Sequence, residues 1–240
     1  MVRKFFCLAL MFLVMGAGFQ APDATVDTDY AEMYLYESST ATVINVADQY
    51  HCTQGLFTED HVQNWSMVAG SLGSGNITNP AATEDSPEIN IADTAHGLAT
   101  GDIVCVQSSN HSGTKTVTKV DDNNFTVAIS YVGDEAGYWQ EPDYLLVGSL
   151  GGGFYRFTYN MSLTSSGNGK IYKFELSVGE THVDESAAQR YIGTGADIGA
   201  MGAAGLIEVE AGDRVFLIVK NTADTTNMTL VHSNVSINRL

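Results

Sequence analysis

Basic residues are scarce in this sequence: 11 Lys and Arg stand against 28 Asp and Glu, a formal net charge of −17. A surface so acidic repels phosphate backbones and anionic lipid headgroups, so nucleic acid is excluded as a partner. Cysteine is scarce too. Cys7, Cys52 and Cys105 do not make a disulfide framework. Cys52 and Cys105 could pair in an oxidising compartment, but their spacing does not demand it, and two buried free thiols are expected. The six histidines (His51, His61, His96, His111, His182, His232) show no HxxxH or HxH spacing, so no zinc site is expected. The acidic pairs Asp27/Asp29, Asp121/Asp122 and Asp134/Glu135 lack the DxDxDG ligand series of a calcium loop and read as solvated turns. Glycine-rich stretches at 148–153 and 193–199 lack the Lys-Ser/Thr of a phosphate loop. His51 and Cys52, adjacent on an extended segment, point to opposite faces and make a poor base–nucleophile pair. Glu84/Asp85 and Glu141/Asp143 are the carboxylate pairs to consider for sugar hydrolysis, but sequence spacing fixes no separation between them. No catalytic residue, metal or cofactor is expected.

What the chain does have is strand. Apolar content of 44% with 16% charged residues specifies a packed core, and 24 Gly with 11 Tyr and 10 Phe suits a β-protein with tight turns. Segments 153–160, 170–176, 214–220 and 230–240 alternate or run apolar at strand length. Earlier, 32–37 and 41–46 read as a first strand pair joined by a turn at 38–40, 47–57 as a loop, and 64–68 as a further strand. Residues 69–86 are rich in Gly, Ser, Asn and Pro, the signature of a connection leaving one unit. Four short strands follow, at 87–92, 102–107, 114–120 and 124–129, closed by Gly137-Tyr-Trp139. At the N-terminus a basic start precedes an apolar run of signal-peptide length, which serves either as a cleaved leader or as a retained hydrophobic helical anchor. The expected organisation is therefore a leader or anchor at 1–21, a linker at 22–30, a jelly-roll β-sandwich at 31–85 plus 144–240, and an inserted small β-barrel at 86–143. The fold class is all-β.

Two stretches carry resemblances. Ile89-Asn-Ile-Ala-Asp-Thr-Ala-His-Gly-Leu-Ala-Thr-Gly-Asp-Ile-Val104, with Ser112-Gly-Thr-Lys-Thr-Val-Thr-Lys-Val-Asp-Asp-Asn-Asn-Phe-Thr-Val127, resembles a small β module of bacteriophage virion proteins. That module is related to the first-catalytic-cysteine-half subdomain of ubiquitin-activating enzymes, which carries no catalytic residue, so the resemblance implies no activity. Gly153-Phe-Tyr-Arg-Phe157, the stretch from Gly205 to Asn221 around Ala-Gly-Asp-Arg-Val-Phe-Leu-Ile-Val, and the terminal Asn234-Val-Ser-Ile-Asn-Arg-Leu240 resemble the trimeric jelly roll of complement globular heads and tumour necrosis factor. Together the two modules are similar to phage and marine-virus fibre or decoration proteins.

In Val215-Phe-Leu-Ile-Val219 both strand faces are apolar, which requires cover on both sides. A neighbouring subunit is the expected second layer, the alternative being a monomer whose own loops or inserted barrel cover that face, so Tyr34, Tyr36, Tyr155, Phe157, Phe216 and Ile218 are candidate trimer-interface residues. Tyr138, Trp139 and Tyr144, near the barrel's exit, are candidate surface contacts, although filling the seam between the modules is the role expected of them first. The functional expectation is a non-enzymatic virion structural protein, a homotrimeric fibre head or capsid decoration on the particle surface. Its partners would be itself, other virion proteins and a host glycan or receptor. The alternative is a secreted or cell-surface carbohydrate-binding module exported by the leader.

Overall fold

The computed structural model describes residues 29–55, 57–80, 86–194 and 197–240. The hydrophobic segment expected at 1–21, most of the linker and the Glu84/Asp85 pair lie outside the described residues. Among the described residues every regular element is a strand. One sheet contains β1 (Tyr30–Leu35), β2 (Ala41–Thr42), β4 (Thr58–Gln63), β13 (Gly153–Ser165), β16 (Gly199–Val209) and β18 (Met228–Arg239), in the order β16-β13-β18-β1-β4 with β2 on β18. The second contains β3 (His51–Cys52), β5 (Trp65–Val68), β12 (Tyr144–Val147), β14 (Lys170–Val178), β15 (Thr181–Ile192) and β17 (Arg214–Asn221), in the order β15-β14-β17-β12-β5 with β3 on β17. The remaining strands are β6 (Leu72–Thr78), β7 (Ile89–Ala92), β8 (Ile103–Gln107), β9 (Ser112–Asp121), β10 (Asn124–Val127) and β11 (Glu135–Gln140), which close into a barrel.

Period-two alternation builds the sandwich. On β13, Tyr155, Phe157, Tyr159, Met161 and Leu163 point inward, while Phe154, Arg156 and Asn160 are exposed. They meet Tyr172, Phe174 and Leu176 of β14 and Val215, Leu217 and Val219 of β17 from the facing sheet. Each such large side chain contributes about 1.5–3 kcal/mol by leaving water. The buried phenols are satisfied: Tyr159 donates to the Ser186 carbonyl at 2.5 Å and Tyr172 pairs with Ser165 at 2.8 Å.

Several expectations need correction. β1 makes no hairpin with 41–46; it lies between β18 and β4, while Ala41–Thr42 pairs with β18. The loop expected at 47–57 contains β3. The connection expected at 69–86 contains β6, so the barrel begins N-terminal to residue 86. The linker's last residues are part of the fold. Tyr30 opens β1, and Asp29, expected in a solvated turn, is buried against Arg239 at 2.6 Å and Tyr155 at 3.3 Å.

The largest correction concerns β17. Its outward residues Phe216 and Ile218 are covered within the chain, by Ile103 and Cys105 of β8 together with Cys52 and Tyr144. β8 is buried along its whole length because Val104 and Val106 fill the barrel while Ile103 and Cys105 face the sandwich. No second subunit is needed there. Polar groups complete the docking: Arg214 donates to Asp102 at 2.9 Å, and Glu180 accepts from the Thr116 amide at 2.7 Å and from Lys115 at 3.1 Å. The free thiols expected at Cys52 and Cys105 are instead a disulfide across this interface, with Cα atoms 5.8 Å apart and a sequence separation of 53.

A closed loop of that length stabilises the folded state by roughly 4 kcal/mol in the chain-entropy view. The double variant Cys52→Ser/Cys105→Ser is therefore expected to lose about 2–4 kcal/mol in urea unfolding. Maleimide labelling of the denatured, unreduced wild type should leave both positions unmodified; labelling at either would overturn the assignment.

Candidate functional site: the seam between barrel and sandwich

The residues singled out from sequence do not gather in one place. Tyr155 and Phe157 lie in the sandwich core, and Phe216 and Ile218 lie beneath the barrel, so none of these four presents a surface to another subunit. Tyr34 and Tyr36 are exposed, Tyr36 at 69%. Of the proposed surface contacts, Tyr144 is buried in the docking interface, and Trp139, 2% exposed, fills the barrel core beside Phe125. Its indole N–H donates to Asp93 at 2.8 Å. Gly73 has no side chain because a Cβ there would stand 2.6 Å from the Trp139 ring. Only Tyr138, 58% exposed, faces solvent.

Alternation on β11 sends Gly137 and Trp139 inward and places Tyr138 and Gln140 in one row outside the barrel. Gln107 of β8 is in register with Tyr138, and Leu72 of β6 with Gln140. This row faces Val43, Asn45, Gln54 and Gly55 of the sandwich across an open seam. Two connected hollows of about 320 and 290 Å³ share Gln54, Leu72 and Gln140 as walls. The lining is amide-rich. Asn45 Nδ2 donates to Gln107 Oε1 at 3.1 Å, Gln54 Nε2 to Gln140 Oε1 at 3.3 Å, and Gln140 Nε2 to the Thr53 carbonyl at 3.1 Å. Gln107 Nε2 is buried with no partner among the described residues.

Glu141 and Asp143 form the acidic end of the seam. Burial raises both carboxyls above the ordinary range; at Glu141 the charges of Asp102 and Asp143 add to it. Asp143 accepts from the Gly70 amide at 2.7 Å and the Phe57 amide at 3.4 Å, and Glu141 accepts from Ser71 Oγ at 3.2 Å. These carboxylates hold the strand connections between the modules.

The loop on the sandwich side is organised by His51. It is buried, its Nδ1 donates to the Gln49 carbonyl at 2.7 Å, and its Nε2 accepts from the amides of Asn45 at 3.0 Å and Val46 at 3.4 Å. That pattern holds the ring in one neutral tautomer. Burial pushes its pKa down to about 4, against a small opposing effect of the Gln49 carbonyl. His96 ties its own turn to a neighbouring one: Nδ1 accepts from the Leu98 amide at 3.0 Å and Nε2 donates to the Asp121 carbonyl at 2.9 Å.

Two other polar clusters lie away from the seam. Glu175 is buried on the outer side of β14, ion-paired with Lys173, with His182 3.9 Å away. Tyr50 covers it, with the Lys220 ammonium 5.0 Å from the ring, and burial pushes the phenol's pKa well up. On the other sheet, a β-bulge in β4 sets Asp60 and His61 together against Glu32 of β1. These three could each offer one ligand atom to a cation; Glu32 also takes a hydrogen bond from Asn234. Sequence reading missed this group because the three residues are split between two strands.

The class defined is an all-β protein in which a closed six-stranded barrel is docked on a two-sheet sandwich. Comparison with known proteins adds no family: no family model matches the chain, and no curated protein matches it.

Unfolded His51 titrates near 6.5 and folded His51 near 4, so the unfolded chain binds more protons between those values. The stability His51 contributes is complete above pH 6.5 and declines as pH falls toward 4, by roughly 3 kcal/mol. Replacing His51 by Ala should cost about 1–3 kcal/mol at pH 7 by orphaning the Asn45 and Val46 amides. It should also flatten that decline, and urea unfolding at several pH values compares the two proteins. An unchanged pH slope would refute the assignment.

Proposed function

We propose that this protein is a non-enzymatic virion structural protein, displayed on the particle surface as a homotrimeric fibre head or capsid decoration and contacting the host. The observation that carries the reading is the outer face of the sheet β16-β13-β18-β1. Row by row it reads Ala204, Thr158, Ser236 and Glu32, then Gly202, Asn160, Asn234 and Tyr34, then Ala200, Ser162 and His232 with Tyr36 beside it. In a chain of net charge −17, these rows of small, amide and aromatic side chains, bordered at one end by Arg156, Leu206, Phe154 and Glu208, are suited to self-association. The partner that fits it is another copy of this chain, through Tyr34 and Tyr36 of the residues expected at the interface.

The strand orders of the two sheets support assigning the larger module to the jelly-roll class. The inserted barrel agrees with the viral resemblance of its sequence. Disulfide formation supports passage through, or residence in, an oxidising environment. A second reading, a secreted or cell-surface carbohydrate-binding module, is favoured by the amide-lined seam. Of the three residues expected as surface contacts, Tyr138 is the one that can serve it, since Trp139 and Tyr144 are buried.

Sedimentation velocity of the full chain should give three chain masses. Ala204→Arg, at an exposed position on the edge strand β16 of this face, should sediment as one chain while keeping its circular dichroism spectrum and melting temperature. A wild type that sediments as a single chain at micromolar concentration would sink the trimer.

A further inference from the structure

The seam holds more polar capacity than docking the barrel requires. Docking rests on Ile103, on Cys105 and its bond to Cys52, on the Arg214–Asp102 pair and on Glu180 with Thr116 and Lys115. The amides of Asn45, Gln54, Gln107 and Gln140 lie beyond that contact, around open space. A carboxamide offers a donor and an acceptor side by side, which matches vicinal hydroxyls that both give and take hydrogen bonds. Gln107 sharpens the point. Its Oε1 is engaged by Asn45, but its buried Nε2 donor has no partner among the described residues, a costly state in a native interior. Tyr138 stands exposed at the rim of the same hollow, an aromatic face with a polar tip.

Charge narrows the ligand. Among the described residues no Lys, Arg or His lines either hollow, and Glu141 and Asp143 close one end, so phosphate, sulfate and carboxylate groups are disfavoured. A peptide added as a strand is disfavoured as well. β6, β11 and β8 are already paired on both sides in a closed barrel and leave no free edge. The connected hollows fall in the size range of small-ligand sites, roughly 300–1,000 Å³.

We infer that the seam binds a neutral pyranose of a glycan, with the sugar ring against Tyr138 and its hydroxyls on the amides of Gln54, Gln140 and Gln107. Gln107 lines the cleft with its Nε2 buried, so the sugar reaches that donor only as the Asn45 carboxamide on the neighbouring Oε1 gives way. The inference rests on the host-contacting part of the proposed function and identifies the chemistry contacted; it does not depend on the trimer.

The test uses the full chain against an array of neutral, sialylated and sulfated glycans, followed by calorimetric titration with the best neutral oligosaccharide. Saturable binding confined to neutral glycans is expected, at least tenfold weaker in Tyr138→Ala and in Gln107→Glu, which turns the unpaired donor into an acceptor. Tyr138→Ala removes an exposed ring, so its melting temperature should match wild type. Should Gln107→Glu fail to fold, Gln54→Ala serves in its place. Absence of saturable binding, binding only to anionic glycans or to peptides, or neutral-glycan binding untouched by Tyr138→Ala overturns the inference. Release of reducing ends from the bound glycan would overturn the non-enzymatic reading while leaving the site in place. Sedimentation of the same preparation separates the two proposals. A single chain that binds neutral glycan upholds the seam and removes the trimer, and a trimer that binds none does the reverse.

Discussion

The molecule depends on the docking of one strand, β8, against the outer side of β17. Both strands are apolar on both sides, and each supplies the layer that the other lacks. Without β8, Phe216, Ile218 and Tyr144 would face water; without β17, Ile103 and Cys105 would. The Cys52–Cys105 bond crosses this contact, and the Arg214–Asp102 pair closes its margin. The barrel is thereby a third layer of the sandwich rather than an appendage, and the seam beside it has fixed walls. A cleft between modules holds a defined shape only if the modules cannot rock.

The opposite sheet follows a different rule. Its inner face is built from large side chains and its outer face mainly from small and amide ones, with Phe154, Arg156 and Leu206 at one end, and among the described residues no further layer is laid over β13 or β18. Asp29 and Arg239, buried or half-buried at one end, tie the start of β1 to the end of β18. The two sheets thus differ in how their outer sides are treated: one is closed by the chain itself, the other is left open and sparingly charged.

Much of this was legible in the sequence and some was not, for identifiable reasons. The alternation of β13 and the double apolarity of Val215–Val219 specified buried strands, and the turn residues around His96 and Asn123 marked the barrel. Periodicity shows that a face is covered but not by what, so the cover on Phe216 and Ile218 was attributed to a subunit when it is Ile103 and Cys105, more than a hundred residues upstream. Trp139 and Tyr138 were taken together, although neighbours on a strand point to opposite sides and only the register decides which one is inside. β15 and β16 were missed because one is mostly polar and the other is Ala- and Gly-rich, so neither carries a strong strand pattern. In β18 a register shift near His232 turns Val231 out of the core, which strict alternation does not anticipate. The seam amides come from four separate stretches of chain, and no local spacing announces their meeting.

The barrel hangs between β5 and β12, which are antiparallel neighbours in register from Trp65–Val147 to Val68–Tyr144. Its entry and exit therefore stand side by side, tied by the Glu141 amide on the Ser71 carbonyl at 2.7 Å. A short hairpin could bridge that stem, so such a cassette is easily exchanged in evolution for another of different tip chemistry. The host strand β17 sets the terms of any exchange. A replacement must bring its own greasy underside for Phe216 and Ile218, or the lineage must first repaint those two positions with polar residues.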